Sequence, residues 1–243
     1  MRIGYINKTI GVELEASSEF SSYPVANLQD SRMSRTWKPA VTGAAWIKVP
    51  GLVQSSLVVI NAHSAVTGDT ILLKGYTDEA RSALDTTVTL DIIPYGTAKV
   101  FDEKTLYWTF EFNTAGYLEV GGLFLGDHII SPSYEIGAKK KDVNSDRIEL
   151  SATNQLYGLN AFQYREAQFL LPFVDKETEA VEIGDLWRTV GRANPFYLLQ
   201  YPDRQDLSRV FYCSFTDESF EWQEHEKNLA VYKDLPFNIR EVF

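Results

Sequence analysis

Three histidines, at positions 63, 128 and 225, and one cysteine, Cys213, are the side chains best suited to nucleophilic, acid–base or soft-metal chemistry. They are widely spaced. His63 closes the strand-like run VVINAHS and His128 follows Leu125-Gly126-Asp127, so the two are expected to approach one another where strand ends cluster. Even then Asp127 is the one carboxylate at hand, short of the ligand set a zinc site needs. His225 lies in Glu224-His225-Glu226-Lys227 and reads as a solvated surface residue. A single cysteine allows neither an internal disulfide nor a cysteine-rich metal scaffold. The nucleophile, phosphate-loop and metalloprotease motifs G-x-S-x-G, G-x-x-x-x-G-K and H-E-x-x-H are absent, as is C-x-x-C. General-acid chemistry requires a carboxyl group of raised pKa in an apolar pocket. Glu111 (WTFEFN), Glu119 (YLEVGG) and Glu166 (YREAQF) instead alternate with apolar neighbours, as solvent-facing strand residues do. No catalytic residue, cofactor site or metal site is expected, and the chain does not read as an enzyme.

The elements that would position any site are mainly strands. Short runs rich in β-branched and aromatic residues recur at 3–6, 12–14, 46–49, 56–62, 70–76, 88–93, 105–112 and 117–125, separated by Gly, Asp, Ser and Pro. Such spacing indicates a sandwich or barrel, and the lack of helical periodicity here excludes parallel βαβ units. Trp46-Ile47-Lys48-Val49 alternates, and Trp46 is expected in the core with Lys48 on the face opposite it. Residues 131–146 (SPSYEIGAKKKDVNSD) break the pattern and read as an extended connection.

Beyond it, strands are expected at 147–150, 162–173, 196–200, 209–215 and 236–242. A helix is expected over about 176–190. Ala180, Ile183, Leu186, Trp187 and Val190 fall on one face, acids crowd its start, and Gly191 is a stop. The expected organisation is therefore a β-sandwich over 1–135, a linker over 136–146, and a small β-barrel with one helix over 147–243. Composition agrees with a globular chain: 44% of the 243 residues are hydrophobic and 13% aromatic. A net charge of −10 makes a poor nucleic-acid binder. No apolar run approaches the ~20 residues of a membrane span, and no signal segment opens the chain, so cytoplasmic synthesis is expected.

The stretch YPVANLQDSRMSRTW (23–37) resembles the opening of discoidin-like, galactose-binding-like β-sandwiches, in the form "PVxNLxDxRxSxxW" found in tailed-bacteriophage tail proteins. That resemblance implies a core position for Trp37. The second half, with NPFYLL at 194–199 and the closing PFNIREVF, is similar to the small barrel domain of phage tail hub and tail-tip proteins. The resemblance implies an all-β virion component at or near the tail tip or baseplate, made in the host cytoplasm. It would form a ring, trimer or hexamer, that joins the tail tube to distal components. Its partners would be copies of itself and the tube, hub and tape-measure proteins. Phe196, Tyr197, Tyr201 and Trp222 are the candidate subunit-interface residues. Discoidin-like sandwiches also bind glycans through loop aromatics, so the alternative function is attachment to host surface glycans. Arg35, Asn61, Tyr76 and Tyr95 are the candidates for it. Some relatives hold calcium in the loop corresponding to 27–36. Here Ser31 stands where they have glycine, and Arg32 and Arg35 oppose a cation.

Overall fold

The computed structural model describes residues 1–243 except 52, 94–95, 102–106, 132–138, 145–146, 151–155, 160–162, 201–209, 220, 226–227 and 243. The first strands are β1 (Arg2–Gly4), β2 (Glu15–Ala16), β3 (Ala44–Val49), β4 (Leu57–Asn61) and β5 (Thr70–Tyr76). Next come β6 (Leu84–Leu90), β7 (Gly96–Val100), β8 (Tyr107–Asn113), β9 (Gly122–Gly126) and β10 (Ile129–Ile130). Then follow β11 (Lys139–Asn144), β12 (Arg147–Leu150), β13 (Leu156–Leu159) and β14 (Gln163–Asp175). Helix α1 (Glu179–Val190) precedes β15 (Phe196–Leu199), β16 (Val210–Phe215), β17 (Gln223–His225) and β18 (Asn228–Glu241). Among the described residues the fold is all-β with one α-helix, as expected.

The chain divides into two compact units, one of residues 1–130 with 196–211 and one of 131–195 with 212–242. In the first, an antiparallel five-stranded sheet, β2-β3-β8-β5-β6, faces a three-stranded one, β7-β4-β9. Alternation sends Ile47, Val49, Phe110, Phe112, Ile71 and Leu73 inward to meet Val58, Ile60, Leu123 and Leu125. Trp37 and Trp108 complete this core, both fully buried. Trp46 does not join it. Side chains two apart in a strand share a face, so Trp46 lies with Lys48 on the outer side of β3, and the Lys48 Nζ sits 4.5 Å from the indole centroid.

The three-stranded sheet is buried on its other face too, which explains its unbroken apolar runs LVVI and LFL. Leu57, Val59 and Phe124 point away from the sandwich core and are covered by β10-β1-β15. Gly4 permits the approach, because a Cβ there would lie 2.6 Å from Leu57 and 2.7 Å from Phe124. β15 joins from far along the chain, pairing Leu199, Leu198 and Tyr197 with Arg2, Ile3 and Gly4. Tyr197 stacks edge-on against Phe124 at 5.2 Å.

In the second unit β14 and β18 pair from Glu166↔Arg240 to Asp175↔Val231, flanked by β11 and β16. Lys139 to Asp142, expected in the connection, are thus part of a paired strand. Helix α1 buries Ala180, Ile183, Leu186 and Val190, and Trp187 meets Phe215 at 4.9 Å. It starts three residues later than expected because Asp175 Oδ1 accepts the amides of Glu177 and Thr178 in a turn. Gly191, at φ 52°, ends it with its N–H on the Trp187 carbonyl. Among the described residues the sheet is open, not the closed barrel expected. Among those residues β11 ends the strand order, and β12 and β13 pair only with each other.

Candidate functional site

The motif at 24–37 is a structural brace. Val25 and Leu28 of a 3-10 turn are buried, and Asn27 Nδ2 donates to the Thr36 carbonyl at 2.8 Å. Gln29 Nε2 donates to the carbonyls of Thr9 and Val12, each at 2.6 Å. Asp30 accepts the Arg32 backbone N–H and its guanidinium at 2.9, 2.9 and 2.7 Å, with Arg35 at 3.3 Å. The Arg32 hydrogen bonds hold the Asp30 carboxyl far below the usual carboxylate range. This aspartate is committed to guanidinium groups. Among the described residues no cluster of three or more His, Cys, Asp or Glu side chains is arranged to hold a metal.

The brace delivers a loop to one end of the sandwich. β3 and β5 start there and β8 ends there, with Ala44 and Thr70 both opposite Asn113. The Asn61 end of β4 and the start of β9 share that end, and Trp37 bridges to Val120. The segments 17–43, 62–69 and 114–121 therefore converge. Ser64 Oγ donates to the Tyr117 carbonyl at 2.9 Å and accepts the Glu119 N–H at 2.9 Å. The Glu119 carboxylate takes the Thr36 hydroxyl at 2.9 Å and the Lys38 ammonium at 3.1 Å. Lys38 Nζ in turn lies 4.1 Å from the centre of the Tyr23 ring. A fixed polar chain, Ser64–Glu119–Lys38, thus runs between two tyrosines. Tyr117 is 80% exposed, and Tyr23 and Phe20 beside it are exposed as well. Exposed planar rings around anchored donors and acceptors can stack on a sugar face and pair with its hydroxyls.

The sequence-based candidates distribute differently. Arg35 and Asn61 do lie at this end. Asn61, however, is turned into the structure, its Oδ1 accepting the Ala62 N–H at 3.0 Å and its Nδ2 on the Met33 sulfur at 3.8 Å. Tyr76 closes β5 at the opposite end, about 20 Å away at ~3.3 Å per residue. Tyr95 and Tyr201 fall outside the described residues. Phe196 and Tyr197, expected at a subunit interface, are buried inside the first unit. The unbroken run FYLL marks a strand covered on both faces rather than an edge. Trp222 packs on Tyr232 at 4.8 Å. Tyr117, Tyr23, Phe20 and Lys38 were missed, although SSYP and TAGY carry turn chemistry that places Tyr23 and Tyr117 in loops.

The histidines do not meet. His63 Nε2 lies 3.0 Å from Thr97 Oγ1 at the Asn61 end of β4, while His128 Nδ1 lies 2.9 Å from Ser56 Oγ at the Leu57 end. The length of β4, about 13 Å at ~3.3 Å per residue, lies between them. Burial pushes both imidazoles below their ordinary pKa, and nearby Arg2 adds to the effect at His128. Glu111 is paired with Lys74 at 2.8 Å on the outer sheet face. Cys213 is buried, and that burial raises its thiol well above its usual pKa.

No protein-family model matches the chain, and no curated protein matches it. Several solved structures do. A chitosan-binding module from a chitosanase/glucanase of Paenibacillus sp. IK-5 is 15% identical with TM-score 0.41, covering 50% of this chain and 98% of its own. A fucose binding module of Streptococcus pneumoniae is 12% identical with TM-score 0.43, covering 50% and 95%. The lectin domain of lectinolysin, complexed with Lewis B antigen, is also 12% identical with TM-score 0.43, covering 50% and 96%.

Proposed function

We propose that this is a carbohydrate-binding protein whose site is the loop end of the sandwich. The observation that carries this reading is Tyr117, 80% exposed at the head of the fixed chain Ser64–Glu119–Lys38 that ends under Tyr23. Tyr117 and Tyr23 supply the platforms, Lys38 donates to hydroxyls and Glu119 accepts from them. Both faces of the three-stranded sheet are covered, so the loops are where this part of the sandwich can meet a ligand. The protein acts by binding, not catalysis. A glycan array with the full chain, followed by calorimetry on the retained sugars, tests it. Tyr117→Ala should weaken binding about tenfold or more while leaving the melting temperature unchanged, since the ring is at the surface. Retention of no glycan, or unchanged affinity in the variant, refutes it.

The protein is also proposed to serve as a structural component of a bacteriophage tail, displaying this sandwich near the tail tip. The signatures at 23–37 and 194–243 support this reading. So does exposed apolar surface on the second unit, where Phe173 and Val181 are 59% and 50% exposed. With Phe196 and Tyr197 buried, a cyclic homo-oligomer or a contact with other tail proteins would use Phe173 and Val181. Electron microscopy of virions decides it: density for this chain outside the tail, or its absence from the particle, removes the proposal.

A further inference from the structure

The second unit holds an open groove of about 490 Å³, lined by Glu166, Arg192, Ala193, Phe215, Thr216 and Arg240. Its size lies within the ~300–1,000 Å³ of small-ligand sites. The lining comes from three places: β14 and β18, the residues just past the helix stop Gly191, and the end of β16. Register puts Glu166 directly opposite Arg240, and Lys141 opposite Glu166 on its other side. The guanidinium of Arg240 lies 5.7 Å from the centre of the Tyr164 ring. Arg192 touches Glu218 at 3.1 Å, both side chains largely in solvent. An exposed pair of that kind holds weakly, so a ligand carboxylate can take the place of Glu218.

We propose that this groove binds a small hydroxylated carboxylate of the sugar-acid type. Two planar guanidiniums suit a carboxylate, which accepts two parallel hydrogen bonds from such a fork. The Glu166 carboxylate accepts from a ligand hydroxyl, and the Thr216 hydroxyl donates or accepts at the same wall. Phe215 and Ala193 give the apolar side against which the C–H face of the ligand rests. A neutral sugar lacks the group the arginines recognise, and a bare anion such as phosphate leaves Glu166 facing like charge. The groove lies in the second unit and does not depend on the loop-end site.

Titration of the full-length protein with D-galacturonate and, separately, with D-galactose, followed by NMR, tests this. Galacturonate is expected to saturate with shifts at Thr216 and Ala193, about tenfold or more tighter than galactose. Its affinity should fall as sodium chloride is raised. Arg192→Gln and Arg240→Gln should each weaken galacturonate about tenfold, read from the shifts at Thr216 and Ala193, with the fold intact. Arg192 is exposed beyond the helix end, so its variant remains informative even if Arg240→Gln perturbs the sheet. Equal affinity for the two sugars, no saturable shift at tens of millimolar, or an Arg192→Gln protein that binds as before would each overturn the proposal.

Discussion

The two units bury their sheets differently. The three-stranded sheet of the first is covered on both faces, by the five-stranded sheet and by β10-β1-β15. The sheet of the second is covered on one. Ala167, Phe169, Leu171, Leu235, Phe237 and Ile239 are buried, while Glu166, Gln168, Asn238 and Arg240 occupy the opposite face. A sheet hidden on both faces can offer a ligand only its end loops, where Tyr117 and Tyr23 are found. A sheet with one polar face can offer grooves along its margin, as at Arg240. The difference also makes the first unit dependent on residues remote in sequence, because part of what covers β4 and β9 arrives as β15.

The sharpest way to break that comparison is truncation. A fragment of residues 1–135, the sandwich by sequence pattern, lacks β15 and leaves Phe124 without Tyr197. It should aggregate, or melt far below the full chain in calorimetry; equal melting would show that β15 is dispensable. Lys139–Lys141, paired in β11, should not be the first site of limited proteolysis.

The next largest effect separates two tryptophans. Trp37→Ala removes a fully buried ring and should cost about 3–5 kcal/mol in denaturant unfolding. Trp46→Ala, on the outer face of β3 under Lys48, should cost under about 1 kcal/mol. A loss at Trp46 as large as that at Trp37 would mean the outer face is packed.

The smallest effect is titration. Burial holds His63 neutral, with its folded pKa below the unfolded value near 6.5. Below about pH 6.5 the unfolded chain therefore binds a proton that the folded one does not. The stabilisation is present above that pH and lost as the pH falls toward the folded pKa, by at most about 1.4 kcal/mol per unit. His128 acts in the same direction. Thermal melts between pH 7.5 and 5 should show it, and His63→Gln should flatten the slope.

Much of this was legible in the residues. The run TILLKGY gave β5 at its observed bounds, and the spacing of Ala180, Ile183, Leu186 and Val190 gave the helix face, since side-chain period reports directly on burial. Trp37 was placed in the core by its position in the resembled motif, and it is fully buried. The expected strand 117–125 includes Tyr117, although TAGY carries turn chemistry and pairing with β4 begins only at Gly122.

The sequence by itself determined the β-class, the helix at 179–190 and the brace at 24–37, because period two, period 3.6 and short-range hydrogen bonds are properties of neighbouring residues. Tertiary structure alone decided which strand ends coincide. It put His63 and His128 at opposite ends of one strand, sent Tyr76 away from Arg35, and drew Phe196–Leu199 onto β1. It also brought Tyr117, Glu119, Lys38 and Tyr23 together from two distant loops. Such meetings depend on sheet order and on which apolar faces remain to be covered, and these are settled only when the whole chain packs.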